Sequence, residues 1–394
     1  MSTPDQRGEA APEMAAVWRY AAASVIAVVP LGVLMPLISV ELAARGHSST
    51  AVGATGFLMF LGVVLLSPRA PAIRARIGIT RVHRAGMALW SLAVAGLALG
   101  DGLLWWYAMF LATGIAAAVI WGVAESLIAE YAPAERLGRV TGLYQTMIGA
   151  AVTIGPFLPG TLGLDFRAAG VLAVALVVLS WVPLLRMRPL PLPVSGTATP
   201  MPWRRAVAVS PALAVGALLG GIFESGVNAL GPVQGLHLGL AAPVAAVVPG
   251  VIAAGSLAMQ YPAGWIADRV AVLALLVAAA AILAASGVLL ALAPGTPWLL
   301  WPAAAIWGGV GGTLYTLVMI RVGVVFRGAD VPTATALAIT AYTFGALIGP
   351  AIAGPAMDAS PRHGLAAVLA VMALAALAAM LAERAAERRR DGRA

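Results

Sequence analysis

The chain has 394 residues, of which 61% are hydrophobic and only 10% are charged, whereas about a quarter of the residues in a typical soluble domain are charged. This composition excludes a soluble globular protein and indicates an integral membrane protein. All 24 basic residues are arginine, there is no cysteine, and the formal net charge is +8, so disulfides, thiolate metal sites and a Walker A lysine are excluded.

A proline-rich segment divides the chain near its midpoint. Residues 186–205 read RMRPLPLPVSGTATPMPWRR and carry no apolar helical stripe. Prolines at this density favour an extended spacer over a helix. We therefore predict a cytoplasmic linker between two helical bundles, with a cytoplasmic tail at each end. The predicted segments are 1–16 (tail), 17–185 (bundle), 186–206 (linker), 207–382 (bundle) and 383–394 (basic tail).

Apolar runs of about 20 residues, the length that crosses a bilayer as a helix, occur six times in each half. They predict an all-α membrane protein with twelve transmembrane helices. The predicted spans are residues 17–44, 50–68, 83–100, 103–129, 138–160 and 167–185, then 207–232, 241–263, 271–293, 298–325, 333–357 and 363–382.

The arginines orient these spans, because positive charge near span ends is retained in the cytoplasm. If both termini lie inside, only Arg45, Arg167 and Arg362 fall in outer segments, and nearly all other arginines fall in inner ones. The sequence therefore predicts that both termini and the linker are cytoplasmic.

The two halves repeat the same landmarks in the same order. Arg76 follows the second span as Arg269 follows the eighth, and Ile-Trp-Gly occurs in both the fourth and the tenth span. Each match alone is weak, but their agreement in order and spacing indicates two parallel six-helix repeats.

On these residues the chain resembles the major facilitator superfamily of secondary transporters, along its whole length. Gly264, Asp268 and Arg269 match the superfamily's G-x-x-x-D-R signature, whereas the first half keeps only Arg76 and Gly78. The resemblance implies two six-helix pseudo-repeats, a signature that acts in conformational locking, and no catalytic residue. Residues 121–142 look like short bacterial members, which implies a multi-pass protein of the bacterial cytoplasmic (inner) membrane.

The signature also has a physical reading that is independent of the family. Gly264 would let a helix end approach its neighbour closely, Asp268 would favour a facing helix N-terminus, and Arg269 would lie among the headgroups. Gly155-Pro156 in the fifth span resembles a motif of antiporters in the superfamily, although its flanking glycines depart from that motif.

Ionisable residues within spans are the sharpest functional signal, because charge in hydrocarbon costs several kcal/mol. The four are Glu125, Glu130, Glu224 and Arg321. Glu130 is so close to a span end that simple exposure explains it. Glu224 lies past the bilayer midplane, on a predicted helical stripe with Gly216, Gly220 and Asn228. We predict that Glu224 carries the coupled proton and Asn228 orients the substrate; a structural glutamate bonded to a neighbouring helix is the alternative.

Glu125 and Arg321 lie at similar depth in the fourth and tenth spans, near the predicted cytoplasmic face. Headgroup contact is one explanation. The other, which we predict, is a cytoplasmic gate in which the two side chains attract each other when the inside is closed.

Further polar and aromatic residues in spans are candidates for the wall of a substrate cavity. Trp121 and Trp307 are related by the repeat, and any of these side chains could instead belong to a packed core. The candidates are Trp121, Tyr144, Gln145, Trp307, Tyr315 and Tyr342.

These features favour transport over catalysis or sensing. All four histidines fall in predicted turns, and there is no metal-ligand spacing or nucleophile motif. We predict a monomeric secondary transporter without metal or cofactor, whose partners are a small-molecule substrate, protons and membrane lipids but no nucleic acid. Efflux of a small organic or amphipathic compound driven by the proton gradient is the main hypothesis. Uptake or facilitated diffusion of a small metabolite is the alternative, and a sensor or membrane enzyme is a third.

The predicted orientation can be tested with single cysteines, because the chain has none of its own. A cysteine at Thr197 should react with a membrane-impermeant thiol reagent only from the inside. A cysteine at Ser360 should react only from the outside. The opposite labelling pattern would show that the arginine distribution has been misread.

Overall fold

The computed structural model describes residues 6–132, 137–185, 202–223, 227–292, 296–327 and 330–391. Every regular element in these ranges is helical, as the apolar composition predicts. Among the described residues, ten helical stretches are long and apolar enough to cross a bilayer. Helices are favoured there because hydrocarbon offers the backbone no other hydrogen-bond partner.

The first half of the chain contains one described helix more than its six predicted spans. The extra helix, α3, is short and is followed at once by α4. Gly78 makes this sharp junction possible, since its φ of +85° lies in the region that favours glycine. The helices are α1 (Gln6–Ala44), α2 (Ser49–Leu66), α3 (Ala70–Ile77), α4 (Ile79–Leu99), α5 (Leu103–Tyr131), α6 (Leu137–Leu162) and α7 (Phe166–Leu179).

The second half is more broken. Ten described helices cover its six predicted spans, and a π-helical segment, Trp307–Gly311, joins α14 to α15. The helices are α8 (Trp203–Val209), α9 (Pro211–Gly221), α10 (Gly231–His237), α11 (Ala242–Ala245), α12 (Val248–Ala267), α13 (Val272–Ala291), α14 (Leu300–Ile306), α15 (Thr313–Val325), α16 (Val331–Ala359) and α17 (Gly364–Asp391).

Two of the differences from the predicted spans concern the seventh and the twelfth span. The seventh span is not one helix, because α9 ends at Gly221 and residues 227–230 form a turn before α10. Consecutive glycines at the end of α9 weaken helix formation there. In addition, α17 continues to Asp391, through residues that the sequence analysis assigns to a basic tail.

Contacts divide the chain into two compact units. The N-terminal unit comprises Met1–Met35 and Leu58–Ser195, and the C-terminal unit comprises Pro36–Phe57 and Gly196–Ala394. The end of α1 and the start of α2 thus belong to the C-terminal unit.

Asp358, at the end of α16, binds the start of α2 within the C-terminal unit. Its carboxylate accepts hydrogen bonds from the backbone N–H groups of Ser49 at 2.6 Å and Thr50 at 3.0 Å, and from the Thr50 hydroxyl at 2.5 Å. The first N–H groups of a helix have no partner inside it, and a carboxylate is favoured at that end. Asp358 therefore caps α2 from another helix.

Glycines bring helix backbones into direct contact inside each unit. In the N-terminal unit, α5 passes so close to α2 that a Cβ on Gly114 would lie 1.8 Å from the carbonyl oxygen of Met59. Gly122, two turns further along α5, has no described atom within 4 Å of the same position. The two glycines therefore differ in packing although they share one helix.

Replacing each of these glycines with alanine should separate packing from helix propensity. Gly114→Ala should lower the free energy of unfolding by about 2 kcal/mol, because the new methyl group overpacks the α2 contact. Gly122→Ala should be neutral or should stabilise by up to about 1 kcal/mol. Thermal unfolding of both variants in detergent measures the difference, and equal melting temperatures would contradict the close approach.

Candidate functional site

Polar side chains of the N-terminal unit gather where α1, α5 and α6 meet. Glu125 of α5 is hydrogen-bonded to the Gln145 side chain of α6. The neighbouring Tyr144 is 2% exposed and is hydrogen-bonded to Ser24 of α1. Three of the predicted functional residues, Glu125, Tyr144 and Gln145, thus form one cluster.

The outer edge of this cluster is accessible. Glu125 and Gln145 both have exposed side chains, whereas Tyr144 faces the packed interior. Helix α6 is not among the ten described helical stretches that are long and apolar enough to cross a bilayer, and polar residues such as Thr141 and Gln145 interrupt its apolar sequence. An accessible carboxylate on such a face can exchange protons and contact a polar ligand.

A second polar group lies in the C-terminal unit, between α12 and α15. The Thr316 hydroxyl donates to Oε1 of Gln260 at 2.6 Å. Nε2 of Gln260 donates to the Ser256 hydroxyl and to the Gly312 carbonyl, both at 3.4 Å. Gly312 and Thr316 follow the π-helical segment Trp307–Gly311, a type of irregularity that is frequent at functional sites.

Two predicted cavity tyrosines contact each other in the same unit. The rings of Tyr315 on α15 and Tyr342 on α16 pack edge to face, with centroids 5.1 Å apart. Both side chains are half-buried. The two tyrosines connect neighbouring helices, and part of each side chain remains accessible.

The two predicted cavity tryptophans have different environments. Trp307 is fully buried, and its indole N–H donates to the Ser286 hydroxyl of α13 at 3.0 Å. The prediction that Trp307 lines a cavity is therefore wrong. This residue begins the π-helical segment and belongs to the packed core between helices. Trp121 of α5 is half-buried.

The stripe predicted for the seventh span is interrupted. Gly216 and Gly220 pack against α15, where Cβ atoms on them would lie 3.0 Å from Val318 and 3.2 Å from Leu314. Asn228 is half-buried in the turn after α9, so it does not continue the helical stripe. Glu224 lies outside the described residues, and its role stays a prediction.

Arg321 is the centre of a buried ion cluster in the C-terminal unit. Its guanidinium, 7% exposed, binds Glu383 at 2.7 Å and Glu387 at 2.5 Å, both on α17. Glu383 also accepts from the Ser210 hydroxyl at 2.7 Å and from the backbone N–H of Ala212 at 2.5 Å. The cluster joins α15, α17 and the start of α9.

The sequence does not predict this cluster, because Glu383 is the first residue of the predicted cytoplasmic basic tail. The predicted cytoplasmic gate pairs Arg321 with Glu125, which belongs to the N-terminal unit. This gate stays a prediction. The available signal was an arginine within the tenth predicted span together with Glu383 and Glu387, which follow the twelfth span and share one helical face.

The second-half signature lies at the end of α12. Asp268 and Arg269 are exposed, and the Arg269 guanidinium stacks 3.7 Å above the centre of the Trp265 ring. No described atom lies within 4 Å of a Cβ on Gly264. The prediction that Gly264 lets two helices approach closely is therefore wrong, because no described helix lies against this glycine.

In the first half a different arginine makes the contact between helices. Arg76 is exposed, whereas Arg74 of α3 donates to the Ser126 hydroxyl at 2.5 Å and to the Gly122 carbonyl at 3.2 Å, both on α5. Partial burial lowers the pKa of the Arg74 guanidinium. Arg74 thus attaches α3 to the bundle beside the Gly78 turn.

One histidine also differs from its predicted place in a turn. His83 is fully buried in α4, which begins four residues earlier than the predicted third span. Its ring packs edge-on against Tyr20, with centroids 4.7 Å apart, and the Tyr20 hydroxyl donates to Thr80 at 3.0 Å.

Comparisons with known proteins agree on one family. The sequence profile described as Major Facilitator Superfamily matches residues 20–350. The uncharacterised MFS-type transporter YfkF of Bacillus subtilis is 22% identical over 338 residues, which cover 82% of this chain and 84% of the relative. YcaD of Shigella flexneri, also an uncharacterised MFS-type transporter, is 23% identical over 333 residues, covering 83% and 85%.

Solved structures have the same fold at low identity. A crystal structure of a variant of the nucleoside transporter NupG aligns with a TM-score of 0.74 and 12% identity, covering 94% of this chain and 99% of that chain. A second crystal structure of NupG gives a TM-score of 0.70 and 13% identity, covering 94% and 98%.

The Arg321 cluster predicts a difference between its two carboxylates. Glu383→Ala should cost about 3 kcal/mol of stability, since it leaves a buried arginine with one partner and uncaps α9. Glu387→Ala, whose side chain is 42% exposed, should cost less than about 1 kcal/mol. Thermal unfolding in detergent compares them, and equal losses would argue against Glu383 as the central partner.

Proposed function

The chain belongs to the Major Facilitator Superfamily of membrane transporters, and from this we propose that it exports a small organic or amphipathic compound in exchange for protons. A secondary transporter of this family binds a small-molecule substrate within the membrane and releases it on the other side. The chain itself must therefore provide a proton site and a substrate site.

The observation that carries the proposal is the accessible Glu125–Gln145 pair. An accessible side chain in a membrane span faces either lipid or water, and a carboxylate facing hydrocarbon costs several kcal/mol. A water-filled path beside α5 and α6 removes that cost. The hydrogen bond to Gln145 holds the carboxylate in place whether or not it carries a proton, since an amide can donate or accept.

Glu224 is the proposed coupling carboxylate, and Asn228, four residues further along the chain, is proposed for the substrate site. A proton and a cationic or hydrogen-bonding substrate compete for one carboxylate, so that each displaces the other in alternate states. This competition converts a proton gradient into export. The resemblance of Gly155-Pro156 to an antiporter motif supports the same direction.

The alternative is uptake or facilitated diffusion of a small uncharged metabolite. The Gln260, Thr316 and Ser256 group supports it, because these side chains offer hydrogen bonds without charge. The fold shared with the nucleoside transporter NupG makes nucleosides the first substrates to test.

Flux into proteoliposomes, with and without an imposed pH gradient, separates the two functions. Proton-coupled export predicts substrate accumulation that depends on the gradient. Facilitated diffusion predicts that labelled nucleosides equilibrate at the same rate whether or not the gradient is present.

Glu224→Gln tests the coupling site in the same vesicles. The variant should still exchange labelled for unlabelled substrate, because the amide keeps the shape and hydrogen bonding, but it should lose accumulation driven by the gradient. Glu130→Gln, a carboxylate near a predicted span end, is the matched control and should behave as wild type. Wild-type pH dependence in Glu224→Gln would rule out the coupling role.

A further inference from the structure

An apolar groove opens on the N-terminal unit between α2, α3, α4 and α5. It has a volume of about 150 Å³, and every residue that lines it is apolar. Its lining includes Leu66, Ile73, Ile77, Leu89, Ile115 and Val119. Because α3 forms one wall, the groove lies where the cytoplasmic connection between α2 and α4 is predicted.

The lining restricts what can occupy this space. A cavity of about this volume lined by leucine and isoleucine stays dry and accepts an apolar molecule the size of benzene, because water finds no polar partner in it. The groove therefore suits a short stretch of hydrocarbon chain better than a polar solute. In a membrane, the hydrocarbon at hand is the acyl chain of a lipid.

The charged residues beside the groove indicate which kind of lipid headgroup would bind there. Between Ser49 and Gly100 the sequence has no acidic residue, but it has five arginines, at 69, 74, 76, 81 and 84. Arg74 is bonded to α5, whereas the side chains of Arg76 and Arg81 are exposed. The segment therefore presents positive charge with no compensating carboxylate of its own.

Two of these arginines are in register with the groove. Arg76 lies one turn of α3 after Ile73, which lines it. Arg81 lies one turn before Ala85 and two turns before Leu89, and both of these also line it. If these guanidinium groups bound the phosphate of a lipid, the acyl chain of that lipid would lie at the opening of the groove.

We propose that this groove is a binding site for an anionic phospholipid, with one acyl chain between α3, α4 and α5 and its phosphate held by Arg76 and Arg81. Basic pockets at the ends of transmembrane helices bind anionic headgroups, and guanidinium groups match phosphate oxygens in geometry. A bound lipid would brace α3, which the Gly78 turn and Arg74 attach to the bundle.

Titration of the purified protein with lipid, followed by native mass spectrometry, tests whether the site prefers an anionic headgroup. Phosphatidylglycerol should bind the first site more tightly than phosphatidylcholine with the same acyl chains. Arg76→Gln/Arg81→Gln should weaken phosphatidylglycerol binding about thirtyfold, given roughly 1 kcal/mol for each arginine. Arg388→Gln/Arg389→Gln, which removes the same charge from exposed positions of α17, should leave it unchanged.

A second pair of variants tests the groove itself. Ala85→Leu places a side chain in it and should weaken binding of both lipids, whereas Ala88→Leu, an exposed position of α4 outside the lining, should not. Equal wild-type affinity for the two lipids, or equal loss in the two arginine pairs, would overturn the proposal. If Ala85→Leu fails to fold, the arginine pairs still decide it.

Discussion

Direct contact between helix backbones holds each unit together. Helices in hydrocarbon gain no hydrophobic free energy from pairing, so close packing must supply the attraction. Glycine allows it: Cβ atoms on Gly308 and Gly345 would lie 1.6 Å from the carbonyl oxygen of Ile252 and 2.0 Å from that of Leu218. Such short separations also let small polar side chains reach across, as Ser286 does to Trp307. The polar groups of each unit thus depend on its glycines.

The apolar runs of the sequence predict the helices well, because crossing a bilayer requires a length and an average apolarity that can be counted. They do not predict local breaks. The end of α9 at Gly221, the separate helix α3 and the π-helical turn at Trp307 depend on backbone geometry, which average hydropathy does not record. The same apolar stretch fits one helix or two short ones.

The residues of the candidate sites were predictable from the sequence, but their partners were not. Glu125, Tyr144 and Gln145 are each identifiable as polar residues in apolar spans, but only the packing of α5 on α6 shows that they meet. Arg321 was identified by its charge, and its partner was not, because Glu383 stands in a stretch of charges that is typical of a solvated tail. Charge in a membrane is tolerated in two ways: Arg321 is buried and neutralised, and Glu125 is accessible. Only the second leaves a group that can bind something else.

The buried ion cluster has a consequence for how the protein is made. Glu383 follows Arg321 by 62 residues, so the ribosome delivers the arginine to the membrane well before the carboxylate that neutralises it. An arginine at the centre of a span costs about 3 kcal/mol on the scale of translocon insertion. Arg321 is four residues from the end of the tenth predicted span, so its insertion costs less, and this smaller penalty persists until α17 emerges. The tenth span must therefore keep its guanidinium close to the headgroups during synthesis, and docking of the last helix completes the C-terminal unit as a late step of biogenesis.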